Sequence, residues 1–347
     1  MQKSKAAKRD RAIREGLEFI YNIACEDQNF TSHGSDLLTC FFLIASTSQD
    51  SSLRKMARKM GQERAHQWRQ DHPSLPQKAN AENIIDLVFG SYAAENLGIY
   101  DEALKKPIRH AAARFTAHNY LRFNPATEPP PSDVPERCDC GTQNPRGRKV
   151  CRKCQKHLLM TSRHWIYVDA LARSYIGERY GVLLGAPFAD VIKWLPRIRP
   201  YRGYENGNNT EFYETIYAVT HVVYTLNDYS VYKLSPDWLP EEFAYLKMNL
   251  AQAIEMDDPE MLGEIMDTLR SFGLTSDQPL IRNGMDYLLA KQNHDGSWGD
   301  SNAENIYQRY HSTWTAIDGL REYRWRGEGL SFPKLKPLLQ QWANDRD

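Results

Sequence analysis

The sequence of 347 residues has no long apolar run, no excess of charge of either sign and few cysteines. No stretch approaches the roughly 18 consecutive apolar residues that a transmembrane helix needs, so we expect no membrane span. The 44 Lys and Arg residues balance the 44 Asp and Glu residues. A nucleic-acid partner is therefore not expected, because coating nucleic acid relies on a surplus of positive charge. The charged N-terminus leads into an amphipathic stretch and resembles no signal peptide, which predicts a cytoplasmic protein.

Six cysteines are too few for a disulfide scaffold, but four of them lie between positions 138 and 154. They form two pairs, Cys138-x-Cys140 and Cys151-x-x-Cys154, and Gly141 permits a tight turn after the first pair. Four thiolates in a tetrahedral array suit Zn²⁺ and leave no open position, so the pattern predicts a zinc ribbon with a structural zinc. The Cys-x-Cys pair is shorter than usual, and a redox pair is the alternative.

The rest of the chain is predicted to be all-α, because apolar residues recur at spacings of three and four. Hydrophobic residues make up 41% of the sequence, enough for a large core. The thirteen predicted helices are Ala12–Ala24, Leu37–Ser46, Leu53–Gln70, Ile84–Glu95, Glu102–Tyr120, His164–Arg179, Phe188–Leu195, Glu214–Asn227, Glu241–Ile254, Glu260–Phe272, Leu280–Gln292, His311–Arg324 and Leu335–Ala343.

Apolar helices alternate with helices that carry one charged face, and the pattern repeats roughly every 45 to 60 residues. Helical hairpins stacked into a closed (α/α)6 toroid would explain this alternation, and an open solenoid of helical pairs is the alternative. We predict that residues 1–123 and 158–347 form one toroid. Residues 124–157, a Pro-rich linker followed by the zinc ribbon, would be an insertion in it.

One local motif resembles a known superfamily. Residues 287–299 place Gln292, Gly296 and Trp298 as in the Gln-Trp repeat of squalene–hopene cyclases and related terpene cyclases. The following Tyr310-His311-Ser-Thr-Trp314 is similar to the start of an inner helix in that superfamily, which includes the protein prenyltransferase β subunits. The resemblance implies a toroid and, as one possible activity, cyclisation or prenyl transfer.

Three roles within this motif follow from its residue types. Gln292 would end an outer helix and satisfy backbone groups there, Gly296 would supply the turn, and Trp298 would stack over the junction. The acidic segment Glu255-Met-Asp257-Asp258 is predicted to lie in a connection and to cap the next helix.

A second metal site is predicted where buried helices begin. His164 and His311 start two of the predicted helices, and Glu214 and His221 lie on a third. Neutral imidazole binds metals well, and three His with one carboxylate would leave a position open for water, substrate or O₂. We therefore predict a second divalent metal, zinc or iron, at these four residues. The alternative is that they are hydrogen-bonded polar groups lining a cavity.

Further residues are assigned functional roles according to how far along the predicted helices they lie. The candidates for proton transfer, or for support of the metal, are Tyr167, Tyr217 and Asp318. The candidates for substrate binding are Arg199, Arg202, Tyr204 and Trp314, the two arginines suiting an anionic group. Exposed basic residues also concentrate in the ribbon, at Arg146, Arg148, Lys149, Arg152, Lys153 and Lys156.

These predictions lead to one main hypothesis and two alternatives. The main hypothesis is a metal-dependent enzyme that acts on a small or apolar substrate in the central cavity. The first alternative is a terpene cyclase or prenyltransferase-like enzyme. The second is a non-catalytic binding module that docks protein or nucleic acid through its zinc ribbon.

Overall fold

The computed structural model describes residues 2–132, 134–136, 138–142, 144–204 and 209–345. As predicted, the chain is all-α, apart from one short antiparallel pair of strands, β1 (Val134–Pro135) and β2 (Met160–Thr161), in which Val134 is opposite Thr161. The helices are α1 (Gln2–Cys25), α2 (Asp27–Thr47), α3 (Ser51–Asp71), α4 (Ala81–Asn96), α5 (Glu102–Ala112), α6 (Ala117–Leu121), α7 (Arg163–Tyr180), α8 (Phe188–Ile192), α9 (Leu195–Ile198), α10 (Asn209–Leu226), α11 (Pro240–Glu255), α12 (Pro259–Ser271), α13 (Pro279–Lys291), α14 (Ile306–Leu320) and α15 (Lys336–Asn344), with a 3-10 turn at Pro333–Leu335. None of the helices in these described ranges is long and apolar enough to cross a bilayer.

The chain divides into two compact units. The first unit consists of residues 1–108 and 223–347, and the second of residues 109–222. The linker and ribbon predicted for 124–157 lie within the second unit, with residues 133, 137 and 143 outside the described part of the chain. The (α/α)6 toroid and its division at 123 and 158 stay predictions.

Four predicted helix starts were wrong by five residues or more. Helix α1 begins at Gln2 rather than at Ala12, and helix α10 begins at Asn209 rather than at Glu214. Helix α2 begins at Asp27, ten residues before the predicted start at Leu37. Gly34 lies inside α2, where a Cβ would be only 3.2 Å from the Trp68 ring, so this glycine permits close packing and does not end a helix. Helix α14 begins at Ile306, because the Asn305 side chain accepts a hydrogen bond from the Tyr307 backbone N–H and caps the helix there.

Two predicted helices are each split in the structure. The stretch from Glu102 to Tyr120 forms α5 and α6, because Thr116 and Asn119 form a reciprocal capping box that begins a new helix. The stretch from Phe188 to Leu195 forms the short helices α8 and α9, the second of which has Pro196 in its first turn.

The Gln-Trp motif behaves locally as predicted. Gln292 follows the last residue of α13, and its side-chain amide donates to the carbonyl oxygens of Ala12 (2.9 Å) and Gly296 (3.0 Å). Gly296 has a positive φ of 87°, and the fully buried Trp298 donates from its indole nitrogen to the Leu288 carbonyl at 2.7 Å. The motif therefore joins α1 to the end of α13 in the first unit. Asp258 also caps α12 as predicted, accepting from the Met261 backbone N–H at 2.9 Å.

Helices α12 and α14 approach each other closely in the first unit. A Cβ added at Gly263 of α12 would lie 2.2 Å from the Thr315 carbonyl oxygen of α14, and one added at Gly319 would lie 3.1 Å from the Gly263 Cα atom. This contact between backbones places the polar residues of the two helices, described below, next to each other.

We expect Gly263→Ala to destabilise the first unit by about 3 kcal/mol, because the added methyl group meets backbone that can move only if the helices separate. Chemical denaturation measures the effect. Gly203→Ala is the matched control, since its Cβ would meet no atom within 4 Å. Equal losses in the two variants would contradict the close approach of α12 and α14.

Candidate functional site

The four cysteines of the second unit converge. The Sγ atoms of Cys138 and Cys154 are 3.3 Å apart, those of Cys140 and Cys151 are 3.6 Å apart, and all four lie within 4.8 Å of one another. The turn after the first pair is the predicted one: Gly141 has a φ of 77° and its N–H donates to the Cys138 carbonyl at 2.7 Å. The cluster could therefore hold a metal ion.

Backbone groups around the cluster favour thiolate at Cys151. The backbone N–H groups of Cys154 and Lys153 donate to its sulfur and lower the pKa of Cys151 to about 5. The Cys140 backbone N–H lowers the pKa of Cys138, but the shared proton with Cys154 and burial outweigh it and raise that pKa to about 12. Thiolate is the form of cysteine that binds a metal, so the backbone donors at Cys151 favour metal binding.

His164 and Glu214, both in the second unit, lie near the same charged residue, Glu211. His164 lies in the first turn of α7, as predicted, and burial lowers its pKa although Glu211 acts in the opposite sense. Glu214 lies in the second turn of α10 rather than at its start. Burial raises the pKa of Glu214, although its carboxylate accepts a hydrogen bond from Ser162, which caps α7. The N-terminal end of α7 and the first turns of α10 thus lie close together.

The other candidates on α7 and α10 are held by ordinary contacts. Tyr167 is fully buried and donates to the Ile192 carbonyl at 3.4 Å. The Tyr217 ring stacks on Trp165 at 5.4 Å between ring centroids. The His221 Nδ1 atom is 2.8 Å from the Tyr217 carbonyl oxygen, which assigns the proton to Nδ1 and leaves Nε2 as the nitrogen with a lone pair when the ring is neutral.

The predicted binding arginines lie around α9 and the chain that follows it. Arg199 caps the C-terminal end of α9. Arg202 is largely exposed and lies 3.7 Å from Glu211, so it already faces a carboxylate. The Tyr204 ring packs edge-on against Phe212. A role of Arg199, Arg202 and Tyr204 in substrate binding stays a prediction.

Two helices of the first unit carry titratable and aromatic residues at helical spacing. The members on α12 recur at intervals of four and three residues, and those on α14 at intervals of four, three and four, so that each set follows one side of its helix. We call them together the α12–α14 face: Glu260, Glu264, Asp267, Tyr307, His311, Trp314 and Asp318.

His311 forms the best-defined pair on this face. Its Nδ1 atom is 3.0 Å from one carboxylate oxygen of Glu260, and the other oxygen accepts from Ser312 at 2.8 Å. The imidazole stacks on Tyr307 at 4.7 Å and meets Trp314 edge-on at 5.7 Å. Burial by itself would lower the pKa of His311, but the Glu260 carboxylate outweighs it and raises the pKa to about 9. His311 is therefore an imidazolium at neutral pH.

Carboxylates impose a negative potential on the outer part of the face. Tyr310 donates to Asp36 at 2.7 Å. Burial, followed by the charges of Asp36 and Glu260, raises the pKa of Tyr307 well above its ordinary value. The phenols around His311 consequently stay protonated, and positive charge in this region is favoured.

The inner part of the face contains two buried carboxyl groups. Asp318 accepts from Arg321 at 2.5 Å, and Asp267 accepts from Ser230 at 2.8 Å. Burial, then the charge of Asp318, raises the pKa of Asp267 to about 7. Burial also raises the pKa of Asp318, although Arg321 and the Trp314 indole oppose it. A proton is therefore available within this pair near neutral pH.

A left-handed turn next to this face was missed by the sequence analysis. Asp228, Tyr229 and Ser230 all have positive φ values, between 50° and 67°. Three consecutive non-glycine residues in this region are costly and occur where surrounding structure requires them. The turn directs Ser230 to Asp267 and stacks Tyr229 on Tyr224. The available signal was the run Asn-Asp directly after a helix, since these residue types tolerate the left-handed region best.

The acidic residues of α12 were also missed, because Glu260, Glu264 and Asp267 lie in a predicted helix to which no function was assigned. Their spacing of four and three on a largely apolar helix is the signal that could have identified them.

No three His, Cys, Asp or Glu side chains other than the four cysteines bring ligand atoms within 4.8 Å of one another in the part of the chain that the structure describes. His164, Glu214 and His221 belong to the second unit and His311 to the first. A second metal at these four residues stays a prediction.

Comparison with protein-family models, with curated proteins and with solved structures finds no match to this chain.

Proposed function

We propose that the chain is an enzyme that moves protons on a small, largely apolar substrate bound against the α12–α14 face, with His311 as the proton donor. The observation that carries the proposal is the 3.0 Å pair of His311 and Glu260 between the rings of Tyr307 and Trp314. An imidazolium held by a carboxylate through Nδ1 keeps its Nε2–H for a bound molecule. The two rings supply apolar surface for the substrate.

Asp318 supports this role and keeps its predicted part in proton transfer. Its carboxyl lies close enough to His311 for the imidazolium charge to lower the pKa of Asp318. Together with Asp267, which shares its buried surroundings, it could accept a proton that the substrate releases and supply a proton that returns His311 to the imidazolium form for the next cycle. Tyr167 and Tyr217, which lie in the second unit, have no part in this proposal.

Turnover in D₂O tests the proposal. We would incubate the protein with geraniol, farnesol or farnesyl diphosphate and follow deuterium incorporation by mass spectrometry. We expect deuterated product from a neutral alcohol, and its loss in His311→Phe and Glu260→Gln. Glu102→Gln, at a carboxylate that is 80% exposed, is the control. Reaction with the diphosphate alone would instead favour the prenyltransferase-like or cyclase alternative.

We expect Glu260→Gln to lower the pKa of His311 from about 9, because burial, which lowers this pKa, would then be opposed only by the weaker effects of the Asp36 and Glu264 charges. NMR titration of the imidazole measures this change. A raised folded-state pKa means that the ion pair stabilises the fold fully below pH 6.5 and that this contribution is lost as the pH rises through 9. An unchanged His311 titration in Glu260→Gln would contradict the pairing.

A second divalent metal at His311 is the competing proposal, since a His bound to a carboxylate through Nδ1 is also the usual arrangement of a metal ligand. Metal analysis separates the two proposals. A second equivalent of zinc or iron that is lost in both His311→Ala and His164→Ala would favour the metalloenzyme. A single equivalent, unchanged in both variants, would favour proton transfer without a second metal.

We further propose that Cys138, Cys140, Cys151 and Cys154 hold a structural zinc. Four sulfur ligands fill a tetrahedral site and leave no position for substrate, so the metal would stabilise residues 138–154 without taking part in the reaction.

A further inference from the structure

The ribbon presents a dense patch of positive charge. We call six residues the ribbon patch, all exposed: Arg146, Arg148, Lys149, Arg152, Lys153 and Lys156. The chain as a whole carries no net charge, so these six cations are balanced by acidic residues elsewhere. Among the described residues 138–142 and 144–157 the only acidic side chain is Asp139, which is 88% exposed and 3.6 Å from Lys156.

Backbone contacts bring the two halves of the patch together. One half is the turn around Gly147, and the other follows the Cys151 pair. Val150 and His157 form a β-bridge, and the Leu158 N–H donates to the Lys149 carbonyl at 3.0 Å. The cysteine cluster fixes the same turns from the inside, since Cys151 is fully buried. The cations therefore stand on a small, well-defined surface.

Two of the arginines are already oriented. The Nε atom of Arg146 donates to the Ser132 carbonyl at 3.1 Å, and that of Arg148 donates to the Val150 carbonyl at 2.8 Å. Binding through Nε holds the guanidinium plane in place while its two terminal nitrogens still face outward on exposed side chains. A planar fork held in this way suits a phosphate group, which it can bind through two parallel hydrogen bonds.

The composition of the patch indicates whether it binds an acidic protein or a nucleic acid. Protein interfaces have an apolar or aromatic centre and contain little Lys, whereas phosphate backbones are bound by Lys and Arg together. Residues 138–157 contain no Phe, Tyr or Trp. Single-stranded nucleic acid is usually bound by stacking bases on aromatic rings, so their absence favours a duplex. We propose that the ribbon patch binds the phosphate backbone of double-stranded nucleic acid.

Fluorescence anisotropy with the full-length, metal-loaded protein tests this proposal. The probes are a fluorescein-labelled 20-base-pair DNA duplex and the RNA duplex of the same sequence, each at 50, 100 and 200 mM salt. We expect binding whose affinity falls with salt, with a slope of log K against log salt of about −5 for six phosphate contacts. The preferred duplex identifies the nucleic acid.

Charge-matched variants locate the surface. We expect the quadruple variant Arg148→Gln/Lys149→Gln/Arg152→Gln/Lys153→Gln to bind at least about tenfold more weakly at 100 mM salt and to reduce the slope by about 4. The control variant, Lys55→Gln/Arg58→Gln/Lys59→Gln/Lys106→Gln, changes the net charge equally at exposed positions of α3 and α5 and should bind like the unmodified protein. Lys149→Gln/Lys153→Gln leaves the Arg148 contact intact and should show about half of the change in slope. Metal content of each variant confirms that the ribbon is folded.

Three results would overturn the proposal. The first is no binding of either duplex at 50 mM salt. The second is an equal loss in the patch and control variants, which would indicate attraction by net charge alone. The third is displacement of the duplex by poly-L-glutamate at the same concentration of charge, which would indicate an acidic protein partner. In that case Leu159, which is 75% exposed, is the apolar residue to test next.

Discussion

Replacing Cys151 with Ser is expected to abolish metal binding and to unfold the ribbon. Cys151 is fully buried, and the backbone N–H groups of Cys154 and Lys153 lower its pKa to about 5, which prepares this sulfur to bind a cation. Residues 138–154 have little core of their own. Because an unfolded chain has no preformed site, the free energy of metal binding, on the order of 10 kcal/mol for four-ligand zinc sites, is free energy of folding for this segment.

Metal analysis and limited trypsin digestion measure the effect of Cys151→Ser. The ribbon patch supplies many cleavage sites, and we expect rapid cleavage between Arg146 and Lys156 in the variant or after chelation, but not in the metal-loaded protein. Cys25→Ser is the matched control, since Cys25 is exposed and lies outside the cluster. Retention of one metal per chain in Cys151→Ser would contradict a four-cysteine site.

The cysteine cluster was predictable from the sequence because its chemistry is local. The spacing of two short pairs and the position of Gly141 determine which sulfurs can meet, and no distant part of the chain is needed. The Gln-Trp motif was predictable for the same reason. Its Gln292 amide binds Gly296, four residues away, and Trp298 binds Leu288, ten residues away.

The face around His311 was predictable only in part. His311 was identified because it starts a predicted buried helix, and Trp314 and Asp318 were identified by their level on that helix. The carboxylate that pairs with His311, Glu260, is 51 positions away, and the sequence alone does not show which of many carboxylates will meet a given His. The pairing also changes the chemistry, since an isolated buried His would be neutral and Glu260 makes this one an imidazolium.

Helix ends were the other source of error, and for α2 and α14 a nearby residue explains where the helix actually continues or begins. Gly34 lies inside α2 and permits close packing, whereas Asn305 caps α14 six residues before the predicted start at His311. A glycine used for packing and a glycine used as a terminator look alike in sequence, because both lack the same side chain.

Replacing Arg321 with Met is expected to destabilise the first unit by about 3–5 kcal/mol, the usual cost of removing one partner of a buried ion pair. The Arg321 side chain is 2% exposed. Besides its ion pair with Asp318, it donates to the hydroxyl groups of Thr47 at 2.8 Å and Ser48 at 3.0 Å and lies over the Tyr323 ring at 4.1 Å. It therefore ties the C-terminal end of α14 to that of α2.

The stability lost in Arg321→Met should increase as the pH rises. Without the guanidinium, Asp318 is a buried carboxylate beside Asp267, so its folded-state pKa rises further above the unfolded value of about 3.9. The folded variant then holds protons that the unfolded chain releases, and its stability falls as the pH rises from about 4 through 7. We expect the free energy of unfolding of Arg321→Met to be closest to that of the unmodified protein near pH 4 and furthest from it near pH 8.

Chemical denaturation at several pH values, combined with a double-mutant cycle, separates the ion pair from the loss of packing. Adding Asp318→Asn to Arg321→Met should recover most of the lost stability at pH 8, because no uncompensated charge is then buried, and should remove most of the pH dependence. Arg324→Met, at an exposed arginine three residues further on, should change the free energy of unfolding by about 0.5 kcal/mol or less. A loss in Arg321→Met that is no larger than in Arg324→Met, or that Asp318→Asn does not reverse, would show that hydroxyl and aromatic contacts rather than the buried charge pair hold Arg321 in place.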